Sequence, residues 1–326
     1  MLTFTLTRLM NMAIVLFIVA VLTFIIIQLP PGDYLTTMMA RMAEGGNIDH
    51  ARIDALRLRF GLDDPWHVQF WSWFTNMLRG DFGWSFEWGQ PVSQLVWDRL
   101  GMTLALSVSS LALIWLIAIP VGVYSAVRQY SAGDYAAQVL GYIGLATPNF
   151  MLALVLMWFS FDVLGFSVGG LFSPEYRDAP WGWGKFLDFL TRIWIPIVVI
   201  ATAGTAGLIR VMRANMLDEL RKPYVETARA KGLSWAQLLP RYPLRLALNP
   251  FVSTIGWILP TLISGEAIVS VVLNLPTAGP LLLRALMSQD MYLAGSIIML
   301  LSVLVVIGTV VSDVLLAWLD PRIRYD

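Results

Sequence analysis

Six long apolar stretches constrain what this chain can fold into more than any other feature. They cover residues 9–29, 103–127, 135–166, 193–217, 248–273 and 291–319. An α-helix rises about 1.5 Å per residue, so roughly 20 apolar residues cross a hydrocarbon core about 30 Å thick. The stretches therefore predict an all-α, polytopic membrane protein with six transmembrane helices, folded as a single domain over residues 1–326.

The composition agrees with this fold class and excludes several functions. Hydrophobic residues make up 57% of the chain and charged residues 13%, whereas soluble domains have roughly 45–50% and about 25%. Lys plus Arg equals Asp plus Glu at 22 each, so no overall basic charge indicates a nucleic acid partner. The chain has no cysteine, which excludes disulfides, thiolate catalysis and cysteine metal sites.

The first apolar stretch has two interpretations, a cleaved signal peptide and a first membrane helix. Both begin with a basic residue, here Arg8, followed by an apolar run. The run is longer than the roughly 7–15 apolar residues of a signal peptide, and no small-residue cleavage site follows it. Instead Pro30 and Pro31 come next. We therefore expect this stretch to be retained as a membrane helix.

The distribution of basic residues predicts the orientation. Residues 210–245 contain eight Lys and Arg residues against three acidic ones. Short loops rich in Lys and Arg stay in the cytoplasm, so residues 218–247 are predicted to form a cytoplasmic loop. With six spans, both termini then face the cytoplasm as well. The segments 30–100, 167–192 and 275–290 are then predicted to lie outside the cytoplasm.

The periplasmic segment 30–100 is rich in tryptophan, with six of these residues. Between Pro65 and Leu78, aromatic and aliphatic residues recur at helical spacing, which predicts a short helix at the membrane surface. The tryptophans fit an aromatic belt at the edge of the bilayer. A surface that stacks a ligand is the alternative, and contact with an external partner is compatible with either interpretation.

The most informative part of the cytoplasmic loop is residues 221–233. Pro223 suits the first turn of a helix and Gly232 suits the position just after its end, which predicts a short, self-contained helix. Glu226 near its start and Lys231 near its end complement the helix dipole. The small side chains of Ala228 and Ala230 would let another surface approach closely. Spacing alone leaves open whether this helix docks a partner or is a basic loop that happens to be helical.

A resemblance to a known motif favours docking. Glu226, Ala228 and Gly232 resemble the EAA motif of ABC-importer permeases, whose short coupling helix sits in a groove on the ATPase subunit. Thr227 departs from the motif, which has alanine there. The resemblance implies an ATPase-docking helix that includes Tyr224, Glu226, Thr227, Ala228, Arg229, Lys231, Gly232 and Leu233.

Further stretches are similar to permeases of the dipeptide/oligopeptide/nickel family. They occur in order along nearly the whole chain, at residues 31–33, 59–63, 78–83, 146–150 and 320–325. Residues 273–279 depart from the Phe-Gly-Leu-Pro-Gly turn of many relatives, and Ser270 stands where a glutamate is often found. Because the family also includes permeases for oligosaccharides, opines or nickel, these departures leave the substrate open.

The resemblance implies a permease subunit of an ATP-driven importer in the bacterial inner membrane, working by alternating access. Short peptides are the leading substrate class, and oligosaccharides, opines or another small solute are the alternative. The implied partners are a second homologous permease, two ABC ATPase subunits and a periplasmic solute-binding protein. The chain itself would have no catalytic residue or cofactor, and ATP and Mg would bind to the partner subunits.

Missing motifs agree with a transport subunit that is not an enzyme. No G-x-x-x-x-G-K-[ST] loop is present, so ATP hydrolysis is expected in another subunit. His50 and His67 are the only histidines and are isolated from each other, which is weak evidence for a metal site.

The main alternative is an ion-coupled secondary transporter, which would have inverted repeats that this sequence lacks. A membrane enzyme is the second alternative, and it would need nucleophile–base pairs or metal ligands.

Two acidic residues, Glu266 and Asp313, lie within or near apolar stretches. An ionisable group there costs about 2.5–3.5 kcal/mol on insertion scales and usually faces protein or water. Each therefore either serves transport, or bonds a neighbouring helix or sits near the membrane interface. The sequence leaves these interpretations open.

Overall fold

A computed structural model describes residues 2–29, 39, 57, 64–163, 165, 169–177, 179–253 and 255–319. These residues are mostly helical, as predicted. The helices before the basic loop are α1 (Leu2–Gln28), α2 (Trp66–Leu78), α3 (Val92–Val127), α4 (Ala132–Ala146), α5 (Asn149–Asp162) and α6 (Trp183–Leu220). The later helices are α7 (Pro223–Ala230), α8 (Trp235–Arg241), α9 (Pro243–Ser253), α10 (Ile255–Val272), α11 (Ala278–Met287) and α12 (Met291–Leu319).

Several helices have the length and apolar composition of membrane spans. Among the described residues, four qualify, with spans at Met10–Gln28, Val92–Val127, Trp183–Leu220 and Met291–Leu315. A fifth arises if α4 and α5, which are bent by 100°, are counted as one broken span. The prediction of a polytopic membrane protein is confirmed, and the count of six spans stays a prediction. The motifs at 31–33, 59–63 and 320–325, and His50, lie outside the described residues.

The structure divides the predicted span 135–166 into α4 and α5. Thr147 ends α4 in an extended conformation, with φ −84° and ψ 118°, and Pro148 directly precedes α5. A residue before proline is disfavoured in the helical region, and proline has no N–H to continue a helix. The apolar composition predicted one span because it carries no information about the angle at this break.

Other helix ends also differ from the predicted spans. α3 begins at Val92 and α6 at Trp183, about ten residues before the apolar runs predicted at 103 and 193. A run of apolar residues marks the part of a helix that suits lipid, whereas backbone hydrogen bonds carry the helix beyond it. The run predicted at 248–273 is covered by α9 and by α10, a helix of 18 residues.

The chain divides into two compact units, of which the first contains residues 1–102 and 277–306. The helix predicted between Pro65 and Leu78 is present as α2. Trp73 of α2 is buried with Phe24 of α1 and Met299 of α12. A Cβ atom added to Gly295 would lie 2.9 Å from the Trp73 ring, so this glycine lets the indole approach the backbone of α12.

A short hairpin in the same unit is held by the buried carboxylate of Asp290. Its strands, β1 (Trp84–Ser85) and β2 (Gln90–Pro91), pair antiparallel. Asp290 Oδ2 accepts hydrogen bonds from Ser85 Oγ at 2.6 Å and from the Glu87 N–H at 3.2 Å. Asp290 Oδ1 accepts from the Leu293 N–H at 3.2 Å. One side chain therefore caps the first turn of α12 and positions the hairpin.

The second unit contains residues 103–276 and 307–326, and α6 is its central helix. α6 packs against α4, α5, α9 and α10. A Cβ atom at Gly144 of α4 would lie 3.0 Å from Thr202 Cγ2, and one at Gly204 would lie 2.7 Å from Ile114 Cδ1. Small residues let membrane helices approach closely and gain dispersion contacts, so α6 is tightly packed along this part of its length.

Candidate functional site

The short helix predicted in the basic loop is present as α7, which begins at Pro223 and ends at Ala230. Pro223 occupies the first turn, where its missing N–H has no intrahelical partner to lose. Gly232, two residues after the end of α7, has a φ of +82°. Both ends predicted from the sequence are therefore confirmed.

Gly232 is needed for its backbone conformation rather than for its small size. A Cβ atom at this position would have nothing within 4 Å. A positive φ disfavours residues with a side chain, so the glycine allows the sharp turn between α7 and α8. Ser234 then begins α8, with its N–H donating to Gln237 Oε1 at 3.3 Å.

α7 and α8 pack through a small apolar core. Val225 and Ala228 of α7 are buried with Leu238 of α8, and Leu238 has 0% of its surface exposed. Tyr224 and Leu233 pack at the edge of this cluster. The sequence interpretation placed Ala228 where another surface would approach, but its side chain is turned toward α8. Ala228 and Leu233 therefore contribute to packing between α7 and α8 instead of forming an exposed surface.

The opposite side of α7 is exposed, and we call it the outer face of α7. It is formed by Glu226, Thr227, Arg229, Ala230, Lys231 and Gly232. The Arg229 guanidinium lies 5.0 Å from the centre of the Trp235 ring, a cation–π distance. This contact orients Arg229 while it stays accessible. Three of the exposed residues, Glu226, Arg229 and Lys231, are charged and can bind a charged partner surface.

A short hydrogen bond joins α7 to the end of α6. Tyr224 Oη donates to Glu219 Oε2 at 2.6 Å. Burial, together with the hydrogen bond to the Glu219 carboxylate, raises the pKa of Tyr224 above its ordinary value. The phenol is therefore protonated at physiological pH and continues to donate. Through this bond, a displacement of α7 also moves the end of α6.

Both intramembrane acids predicted from the sequence lie in the second unit. Glu266 of α10 is 1% exposed, and its Oε2 accepts a hydrogen bond from Ser107 Oγ of α3 at 3.2 Å. Asp313 of α12 is half-buried, and its neighbour Ser312 donates to the Val252 carbonyl at 3.2 Å. A role of these acids in transport stays a prediction.

Sequence reasoning missed one buried ion pair. Arg213 of α6 donates to both oxygens of Asp134 of α4, each at 3.0 Å. The two residues are 79 positions apart in the sequence, so no spacing could have predicted their pairing. The only local signal was Ser131, whose hydroxyl accepts from the Asp134 N–H at 3.2 Å as the cap of α4.

Within the described part of the chain, no group of three or more His, Cys, Asp or Glu residues could hold a metal ion. The candidate site is therefore described by charge, exposure and helix packing.

Comparison with known proteins identifies the family. Residues 118–325 match the family described as "Binding-protein-dependent transport system inner membrane component", and residues 1–107 match the corresponding N-terminal domain. The chain belongs to this family. The two matched regions contain all the stretches on which the sequence resemblance rests, and the N-terminal match covers α1 and α2. The chain is thus a multi-pass inner-membrane component of an ABC importer, as the resemblance implied.

Two relatives of this permease match nearly its whole length. The oligopeptide transport system permease protein AppB of Bacillus subtilis (strain 168) is 37% identical over 311 residues, which cover 94% of this chain and 94% of AppB. The glutathione transport system permease protein GsiC of Salmonella choleraesuis (strain SC-B67) is 32% identical over 326 residues, which cover 100% of both chains. The similarity therefore extends over both compact units.

Proposed function

We propose that this permease carries short peptides across the inner membrane and receives the energy of ATP hydrolysis through α7. The observation that carries the proposal is that the outer face of α7 is exposed and charged, while the inner side of the same helix packs against α8. Such a helix is rigid enough to transmit force, because its inner side packs on α8 and its start is bonded to Glu219. Its outer face is free to enter a groove on another subunit.

The charge around α7 predicts the chemistry of that groove. Six basic side chains are exposed in and around the loop that contains α7: Arg221, Lys222, Arg229, Lys231, Arg241 and Arg245. Two acidic side chains, Asp218 and Glu226, are exposed in the same region. Complementary potentials steer association and suppress wrong partners. The docking groove of the ATPase subunit is therefore expected to be acidic, with a basic group placed to meet Glu226.

We infer six membrane spans with both termini in the cytoplasm. The four continuous spans and the bent pair α4–α5 supply five, and α10, with 18 residues, supplies the sixth. The basic loop that contains α7 is then cytoplasmic by the positive-inside rule. With this topology, the outer face of α7 would lie on the side where ATPase subunits work.

The names of the two relatives support the proposed substrate class. One is named for oligopeptide transport and the other for glutathione transport, and both substrates are short peptides. We therefore propose peptides over oligosaccharides or opines. Alternating access would move them, with ATP binding closing the ATPases, shifting α7 and switching the spans between inward-open and outward-open states.

The assembly would contain this chain, a second homologous permease, two ABC ATPases that bind ATP and Mg, and a periplasmic solute-binding protein. The experiment is affinity purification of the tagged protein from its native membrane, followed by reconstitution into liposomes. Co-purification of two ATPases and ATP-dependent peptide uptake would support the proposal. Recovery of the chain alone, with uptake driven by an ion gradient, would contradict it.

A matched pair of charge reversals tests the role of α7 itself. Glu226→Arg reverses a charge on the outer face, and Glu175→Arg makes the same change at an exposed residue predicted to be periplasmic. We expect Glu226→Arg to release the ATPases during purification and Glu175→Arg to retain them. Equal retention in both variants would exclude α7 as the docking element.

A further inference from the structure

The carboxylate of Asp134 is fully buried, and both of its oxygens are engaged. Oδ1 accepts from Arg213 Nε at 3.0 Å and from Gln138 Nε2 at 2.9 Å. Oδ2 accepts from Arg213 Nη2 at 3.0 Å and from the Tyr130 N–H at 2.9 Å. A two-point Arg–carboxylate pair fixes direction as well as distance, so α4 and α6 are held in one relative orientation at this point.

The same carboxylate also shapes the loop that leads into α4. Tyr130 has a φ of +63°, a conformation that is uncommon for a residue with a side chain. The hydrogen bond from its N–H to Asp134 stabilises this conformation, and Ser131 caps the helix immediately after it. Asp134 is therefore held at a fixed point of the backbone, the start of α4. It is not part of a flexible surface segment.

Arg213 lies in the last turns of α6, which are also hydrogen-bonded to α9 and α7. Two residues later, Asn215 Nδ2 donates to the Ala247 carbonyl of α9 at 3.3 Å. Glu219, near the end of α6, accepts from Tyr224 of α7 at 2.6 Å. Within seven residues, α6 is thus bonded to α4, to α9 and to α7. These bonds make the end of α6 the common attachment of three helices.

α4 leads from the ion pair to the bend in the broken span. It stays close to α6, since a Cβ at Gly144 would lie 3.0 Å from Thr202. It then turns by 100° into α5. At the start of α5, Asn149 Nδ2 lies 3.8 Å from where a Cβ of Gly265 in α10 would be. A movement of α4 along α6 would therefore reach the bend and α10.

We propose that Asp134 and Arg213 are positioning residues that transmit movement of α7, through α6, to the α4–α5 bend. This inference rests on the proposed function, in which an ATPase moves α7. A buried ion pair is often no more stabilising than an apolar pair of the same volume, but the two-point contact between Arg213 and Asp134 fixes one geometry. That property suits a link that must keep its direction while helices move. Removing the charge should uncouple hydrolysis from transport in complexes that still assemble.

The test measures peptide uptake per ATP hydrolysed in the complex reconstituted from purified subunits. Asp134→Asn keeps the shape of the side chain and removes its charge. We expect the ATPases to stay bound and ATP hydrolysis to continue, while uptake per ATP falls by about tenfold, by analogy with the roughly 5–150-fold changes in affinity between linked binding sites. Gln138→Met removes one hydrogen bond to the same carboxylate but leaves the ion pair, and should keep a ratio close to wild type.

Arg213→Lys is a milder second variant, since lysine keeps the charge but cannot donate in the two-point geometry. Its uptake per ATP should fall between wild type and Asp134→Asn. Because the ratio is measured per assembled complex, reduced yield does not affect it. An unchanged ratio in both variants would overturn the proposal and leave Asp134 and Arg213 with a role in folding only. A wild-type complex without ATP-driven uptake would instead overturn the proposed function, and this inference with it.

Discussion

Tyr224 Oη lies 2.6 Å from Glu219 Oε2, so the first turn of α7 is hydrogen-bonded to the last turn of α6. The bond spans the two residues that separate the helices, Arg221 and Lys222. Because the pKa of Tyr224 is raised by burial and by Glu219, this donor persists over the physiological pH range. The helix that we propose to contact the ATPase therefore has a fixed connection to the membrane part of the second unit.

Removal of this hydroxyl should weaken transport more than assembly. A hydrogen bond to a charged group contributes about 1.5 kcal/mol or more, so Tyr224→Phe should loosen α7 and reduce peptide uptake several-fold at an unchanged membrane level. Tyr242→Phe removes a hydroxyl from the neighbouring exposed ring and should have little effect. Uptake assays in cells expressing each variant measure the difference, and equal uptake in both variants would contradict a mechanical role of the bond.

The turn after α7 should tolerate side chains according to backbone preference rather than size. Space is open around Gly232, but its φ of +82° costs an ordinary residue about 1–2 kcal/mol. Gly232→Val should therefore impair uptake strongly, whereas Gly232→Asn, a residue that tolerates positive φ, should stay close to wild type. A loss of uptake with Asn equal to that with Val would show that the exposed surface, not the backbone, requires glycine.

The small core between α7 and α8 should depend on Leu238. This side chain is fully buried, and Leu→Ala changes in buried positions cost about 2–5 kcal/mol. Leu238→Ala should speed amide hydrogen exchange across α7 and α8. Leu246→Ala, at a side chain that is 44% exposed, is the control and should leave exchange in α7 unchanged. Protection of α7 in both variants would mean that the helix is held by contacts other than this cluster.

The hydrogen bonds that join Asp290 to the hairpin and to α12 should make the stability of the first unit depend on pH. Burial raises the pKa of Asp290, although hydrogen bonds from Ser85 and from the backbone oppose the shift. The folded protein then holds this proton more tightly than the unfolded chain. The contribution of Asp290 to stability is therefore full below the ordinary Asp pKa of about 4, and it declines as pH rises through the raised value.

Asp290→Asn removes this titration and keeps a similar shape. The unfolding temperatures of wild type and variant are measured in detergent at several pH values. The wild-type temperature minus the variant temperature should decline as pH rises from about 4 toward neutrality. A difference that stays constant with pH would show that Asp290 has the same pKa in the folded and unfolded chain.

The sequence was most informative where residue chemistry acts locally. Pro223 and Gly232 predicted both ends of α7, because proline at the start and glycine after the end follow from the backbone itself. The aromatic spacing before Leu78 predicted α2 for the same reason. Apolar composition predicted a polytopic membrane protein, since the thickness of the bilayer fixes the length of a span.

Features that depend on tertiary packing could not be predicted in this way. The direction of Ala228 follows from the position of α8, and the pairing of Asp134 with Arg213 joins helices far apart in the sequence. The bend at Pro148 could be suspected from the proline, but no residue pattern gives its angle of 100°. The early starts of α3 and α6 were missed because polar helical turns look like loops when only apolar runs are read.

The most direct test of the account is site-specific cross-linking from the outer face of α7. The chain has no native cysteine, so a single introduced thiol can carry a photo-reactive group. Thr227→Cys places it on the outer face, and Thr75→Cys places it on α2, at an exposed residue predicted to be periplasmic. The account predicts that illumination of native membranes links position 227, but not position 75, to an ABC ATPase. No ATPase product from position 227, or an equal yield from both positions, would contradict it.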